Sequence, residues 1–175
     1  MKESARAAIS YIHANADKFG IEEDKFTTKD IHIHVPEGAV PKDGPSAGVT
    51  MISALVSELS GVPVRCDIAM TGEITLTGRV LPIGGLPEKS MAAYRNGIRT
   101  ILIPSDNVSD LEDVDPVIKE KVTFIPVDSV SKVLELALVP NESIKDFDKS
   151  GIKIDMPIPE SKISVPNEGV YLKRR

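Results

Sequence analysis

"AVPKDGPSAGVTM", residues 39–51, carries a stiff loop into a helix. Pro41, Gly44 and Pro45 redirect the backbone, and from Ser46 small and apolar residues continue through residue 60 to a stop at Gly61. One hydroxyl, that of Ser46, therefore stands where a turn meets a helix N-terminus. Such a terminus presents unpaired backbone N–H groups and partial positive charge. Ser46 could cap the helix, mark an anion site, or act as a nucleophile whose attack develops an oxyanion beside those donors. Gly44 and Gly48 leave the backbone open to close approach by a substrate chain. Taken alone, the stretch leaves all three roles open.

Outward from this loop the chain reads as one α+β domain with mixed strands. Upstream, Ala5, Ala8, Ile9, Ile12, Ala16 and Phe19 form a helical stripe over 3–19, with Gly20 as its stop. "IHIHV" (31–35) alternates and predicts a strand with His32 and His34 on one face. Downstream, "VRCDIAM" (64–70) predicts a strand, and "ITLTGRVLPIGG" (74–85) a strand bent at Gly78 or a hairpin. A short helix over 87–96 comes next, opened by Pro87 and closed by Gly97. "RTILIP" (99–104) is nearly all apolar, as a buried strand requires. Ser105 and Asp115-Pro116 mark short helix starts, "VTFIPV" (122–127) a further strand, and Asp128 the cap of a last helix through Val139. Residues 140–175 hold four prolines and no helical stripe, so the body is expected over 1–139 and an extended or disordered tail over 140–175.

Composition narrows the function. With 41% hydrophobic and 27% charged residues the chain is an ordinary globular one. A net charge of −5 supplies no overall basic field for nucleic acid or an anionic membrane. The single cysteine, Cys66, cannot close an internal disulfide, and a reducing, cytoplasmic compartment is expected. No apolar run approaches the ~20 residues of a membrane span. The immediate helical start suggests a piece of a longer chain.

A serine nucleophile needs a base. Three histidines, His13, His32 and His34, keep a Ser-His-Asp arrangement possible on paper. The other activator is a lysine, and "LPIGGLPEKS" (81–90) offers Lys89 at a helix start. An ordinary lysine amine titrates near about 10.4, whereas a base working at neutrality titrates near roughly 7–8. Burial or the positive end of a helix moves it that way. A phosphate loop is excluded: Glu88 precedes the lysine where glycine is required, and Ile83 stands at the earlier glycine position. The two strand histidines lack a companion cluster with metal spacing, and Cys66 reads as a small sheet residue.

Several stretches together resemble the proteolytic domain of Lon, the ATP-dependent protease. They are "HVPEGAVPKDGPSAG" (34–48), "MTGEITLTGRVLPIGG" (70–85), Lys89, "AAYRNGI" (92–98) and "IPSDNVSDLED" (103–113). The resemblance implies Ser46 as nucleophile and Lys89 as general base. It further implies that Thr71 bonds and steadies the lysine, and that Asp43 lies in a loop over the serine and pairs with the lysine in resting forms. Gly44 and Pro45 then belong to the substrate loop, backbone N–H groups near Ser46 to the oxyanion hole, and Glu73, His32 and His34 to the surroundings of the site. The implied fold is the α/β one that Lon shares with a ribosomal protein domain. The implied substrates are unfolded, damaged and regulatory proteins, met inside a hexameric ring. No cofactor is implied for this domain; ATP and magnesium belong to an ATPase module outside these residues. One local departure is Pro87, where the family usually has lysine in "GGLKEK". A rival reading keeps the fold for assembly or DNA-linked binding without hydrolysis, but both Ser46 and Lys89 are present, which opposes it. A small-molecule kinase of related fold would want a glycine-serine phosphate loop that this sequence does not show.

Overall fold

The computed structural model describes residues 2–35 and 44–139. Its elements run α1 (Lys2–Ala14), a 3-10 turn (Ala16–Phe19), the one-turn α2 (Lys25–Thr28) and α3 (Gly48–Ser60). They continue with β1 (Ile68–Met70), β2 (Glu73–Ile74), β3 (Val80–Leu81), α4 (Leu86–Arg95) and β4 (Thr100–Pro104). Two 3-10 turns over Ser105–Asn107 and Ser109–Asp113 lead to α5 (Pro116–Lys121), β5 (Thr123–Val127) and α6 (Val130–Ala137).

The apolar "TILIP" run forms β4, the centre of a three-stranded parallel sheet ordered β1-β4-β5. Ile68 lies opposite Thr100 and Met70 opposite Leu102, while β5 pairs from Thr123 at Thr100 to Val127 at Pro104. A central parallel strand is covered on both faces, which is why its sequence does not alternate with polar residues. Leu102 packs into one core with α1, α3, α6 and the β2–β3 hairpin, around Ile12, Ile52, Val56 and Leu134. Its neighbours Ile101 and Ile103 enter a second core with Leu86, Val114, Ile118 and Val122. Burying each such side chain contributes roughly 1.5–3 kcal/mol.

The expected 3–19 stripe is realised as α1 plus its 3-10 extension, closed at Gly20 with φ 63°. The 74–85 segment becomes the antiparallel hairpin, Glu73 opposite Leu81, with Gly78 at φ 82° in its turn. There the ring of Tyr11 lies directly over the glycine. Asp115 caps α5, its side chain accepting from the Val117 N–H at 2.8 Å.

Four local expectations are corrected. Residues 31–35 form no strand: a strand needs a neighbour's backbone, and no described residue supplies one, so His32 and His34 are exposed side chains without a shared sheet face. Cys66 is not in a sheet; β1 starts only at Ile68, and Arg65 and Asp67 close an ion pair at 2.6 Å around an exposed turn. Asp128 does not cap the last helix: Ser129 holds that position, and the Asp128 carbonyl instead accepts from Val80 of the hairpin at 2.8 Å. Helix α4 starts at Leu86, which puts Pro87 second; the first-turn N–H that proline lacks needs no helical partner. The tail after Val139 and the loop containing Asp43 lie outside the described residues.

Candidate active site

Ser46 precedes its helix rather than capping it. Ala47 is the N-cap of α3 and makes no side-chain cap bond, so the capping role does not account for the serine. What fixes the residue is backbone. The Gly72 N–H donates to the Ser46 carbonyl at 2.9 Å, Val49 donates to the Gly72 carbonyl at 3.1 Å, and Ala47 bridges to Gly72 in parallel. The Thr71 hydroxyl donates to the same Ser46 carbonyl at 3.2 Å, and Lys89 bonds the Gly84 carbonyl, so the expected Thr71–Lys89 bond is not formed. Thr71, 6% exposed, is held in turn by its own N–H on the Leu102 carbonyl at 3.1 Å.

Two glycines make this crossing possible. A Cβ on Gly48 would stand 2.9 Å from the Ile74 backbone nitrogen and 3.0 Å from Ile74 Cγ1. One on Gly72 would meet Val80 Cγ1 at 2.8 Å and Val49 Cγ1 at 3.0 Å. The start of α3 is therefore seated on the β1–β2 junction at a distance that only hydrogen side chains allow.

Lys89 reaches the same place from the other side. Gly85, at φ 72°, turns the chain into α4, and Lys89 lies in the helix's opening turns. Its Nζ donates to the Gly84 carbonyl at 2.7 Å. The side chain is exposed, so the described residues do not supply the burial expected for a lysine base.

Ser46, Thr71 and Lys89 line one cavity of about 250 Å³, together with Ala47, Thr50, Ala69, Met70, Ala93 and Ile101. Its floor is apolar and comes from β1 and β4; a hydroxyl, a threonine and an amine stand at its edge. Thr50 and Met70 escaped sequence reasoning, because only the packing of α3 against β1 joins them, through a Thr50 hydroxyl to Met70 carbonyl bond of 3.3 Å. Glu73, half-buried in β2, is not among the lining residues, nor are His32 and His34. Gly44 and Pro45 sit exposed beside the serine, the Pro45 carbonyl accepting from Gly48 at 3.1 Å. His13 packs edge-on against Phe26, with ring centroids 5.0 Å apart. Lys89 is thus the amine that the described residues bring to the serine's cavity. No group of three potential metal-ligating side chains occurs among the described residues.

Residues 1–140 match the family model for the Lon protease (S16) C-terminal proteolytic domain. The chain is 56% identical to the Lon protease of Chloroflexus aurantiacus over 146 residues, which is 83% of this chain and 18% of that protein. It is 60% identical over 139 residues to the Lon protease of Clostridium acetobutylicum, covering 79% of this chain and 18% of the relative. With Lon protease 2 of Thermus thermophilus the identity is 60% over 139 residues, 79% of this chain and 17% of that protein. The match thus spans less than a fifth of the length of each relative. A parallel sheet that seats a serine loop against a lysine helix, on a sequence this similar throughout its folded body, has one family reading: the chain belongs to the Lon proteases, as their C-terminal serine peptidase domain.

Proposed function

We propose that this domain hydrolyses peptide bonds of unfolded, damaged and regulatory proteins, with Ser46 as nucleophile and Lys89 as general base. The observation that carries the reading is the meeting of Ser46, Thr71 and Lys89 on one apolar-floored cavity, from three separate elements. An extended substrate segment lies in that cavity. The Lys89 amine takes the proton of the Ser46 hydroxyl as Oγ attacks the carbonyl carbon. Backbone N–H groups near Ser46 hold the oxyanion. The proton then passes to the leaving amine as the C–N bond breaks, and water, activated by the same lysine, releases the acyl group.

Lys89 acts only as a neutral amine, and it is exposed in this chain. Thr71, tied to the Ser46 carbonyl, keeps the serine in register with the lysine. Asp43 and the Gly44-Pro45 segment belong to the loop that covers the serine, and Asp43 pairs with the lysine at rest. Glu73, His32 and His34 take outlying roles.

The working assembly is a hexameric ring in the cytoplasm, with the domain comprising residues 1–139 and residues 140–175 forming a tail. ATP and magnesium act in a separate ATPase module that unfolds substrates. Hydrolysis by the serine and lysine as proposed calls for no cofactor in this domain. Its acidic balance, −5, disfavours direct nucleic-acid binding.

Hydrolysis of a fluorogenic unstructured peptide from pH ~6 to ~10 tests the reading. Activity is expected in the wild type and is expected to vanish in Ser46→Ala and in Lys89→Ala. Cleavage that survives Ser46→Ala would overturn it.

A further inference from the structure

Asn107 lies in the turn after β4, 3% exposed, and its amide is fully engaged. Oδ1 accepts from the Ile83 N–H at 2.9 Å, and Nδ2 donates to the Ile83 carbonyl at 2.8 Å. Nδ2 also donates to Asp110 Oδ2 at 2.6 Å. The Ile83 N–H and carbonyl fix which end of the amide carries the hydrogens, and Asp110 adds an acceptor that holds the amide in place. The result is a two-bond clamp on both backbone groups of one residue, 24 positions away in sequence.

Clamping Ile83 matters because Gly84 and Gly85 come next, the most permissive pair a backbone can contain. The Gly84 carbonyl is the acceptor for Lys89 Nζ at 2.7 Å. Helix α4 holds the far end of this pair, where the Gly85 carbonyl accepts from the Lys89 N–H at 3.1 Å, and Ile83 holds the near end, next to the Gly84 carbonyl. A neutral amine has two N–H bonds and one lone pair, so holding one N–H on a fixed oxygen restricts where the lone pair points.

We propose that Asn107 is a positioning residue for the reaction: by clamping Ile83 it fixes the Gly84 carbonyl, and through that carbonyl it aims the Lys89 amine into the serine's cavity. Asp110 serves the clamp by accepting from the amide and holding it in place. This rests on Lys89 being the general base.

The test uses the 175-residue chain with 13C-labelled lysine, peptide hydrolysis and thermal melting. The Lys89 resonance is identified through Lys89→Arg, and it is read whether or not the chain turns over peptide. In the wild type the two Hε protons are expected to be inequivalent, because the amine is held. Asn107→Ala is expected to make them equivalent and to lower kcat about 10- to 100-fold, with KM within about twofold. Asp110→Ala is expected to act in the same direction more weakly, and Asp110→Asn, which keeps an acceptor oxygen, to restore both readouts. An Asn107→Ala chain that melts earlier but keeps its kcat and its Lys89 signals would overturn the proposal, leaving Asn107 a structural residue only. If Asn107→Ala does not fold, the Asp110 pair decides: a difference between Ala and Asn in the Lys89 signals supports the clamp, and none overturns it. Hydrolysis that survives Lys89→Ala overturns the assignment of the base, a result separable from these because the Lys89 resonance still reports the tether.

Discussion

Replacing Gly48 with alanine probes how tightly the serine is registered against the sheet. The added Cβ would stand 2.9 Å from the Ile74 nitrogen, 3.0 Å from Ile74 Cγ1 and 3.2 Å from the Gly72 carbonyl oxygen. Two of these three atoms are backbone, so no side chain can swing away. Restoring an ordinary contact of about 3.5 Å requires α3 and β2 to separate by roughly 0.5 Å. Overpacking of this kind costs about 1–3 kcal/mol, against a helix-propensity gain of up to ~1 kcal/mol for alanine over glycine. The net destabilisation is therefore modest, on the order of 1 kcal/mol, and the chain stays folded. The shift falls on the crossing that holds the serine, through Gly72 to Ser46 at 2.9 Å and Val49 to Gly72 at 3.1 Å. Since a misplacement of ~1 Å can cost about 100-fold in rate, kcat is expected to drop ~10-fold or more while most molecules remain native. Urea unfolding gives the first quantity and peptide hydrolysis the second. A Gly48→Ala chain of wild-type kcat and raised stability would refute this account of how Ser46 is placed.

Gly78→Ala should destabilise by about 2 kcal/mol or more, because φ 82° disfavours a side chain and the new Cβ would fall against the Tyr11 ring, 2.8 Å from its hydroxyl oxygen; thermal melting reads this. Asp115→Ala removes the bond to the Val117 N–H and should cost about 1 kcal/mol in urea unfolding, with peptide hydrolysis unchanged. The hydrogen bond from Arg65 holds the Asp67 carboxyl below its ordinary range. A lowered folded-state value means that its contribution is present above the unfolded value, near about 3.9, and is lost as pH falls through the folded one. With both side chains well exposed, that contribution is at most about 1 kcal/mol, so Asp67→Asn should flatten acid unfolding only slightly, and salt should mask the difference.

What the sequence made legible, and what it did not, divides along a physical line. Elements that carry their own signal were readable: the apolar run of β4, the Asp115-Pro116 start of α5, and the glycine stops after α1 and α3. The "IHIHV" strand was not, because alternation states a willingness to pair and says nothing of a partner. Ser129 rather than Asp128 opens α6 because the Asp128 backbone is drawn to Val80, a contact between distant segments that no local rule contains. At the site, Ser46 and Lys89 were found as separate helix-start residues, but their shared cavity is created by β1 and β4 between them. Asn107 fell within the "IPSDNVSDLED" stretch but carried no sign of its partner, a backbone 24 residues away.

The two hydrophobic cores meet on β4, whose residue Leu102 faces one and whose residues Ile101 and Ile103 face the other. Ser46 enters with α3, which packs in the first; Lys89 is borne by α4, which packs through Leu86 in the second. The serine and lysine of the proposed reaction therefore straddle a seam between two cores. A shift of α3 relative to α4 would change the serine–lysine alignment without requiring a break in the sheet's strand pairing. With Ser46 and Lys89 reacting as proposed, the rate of cleavage is expected to depend on how these two cores are packed together.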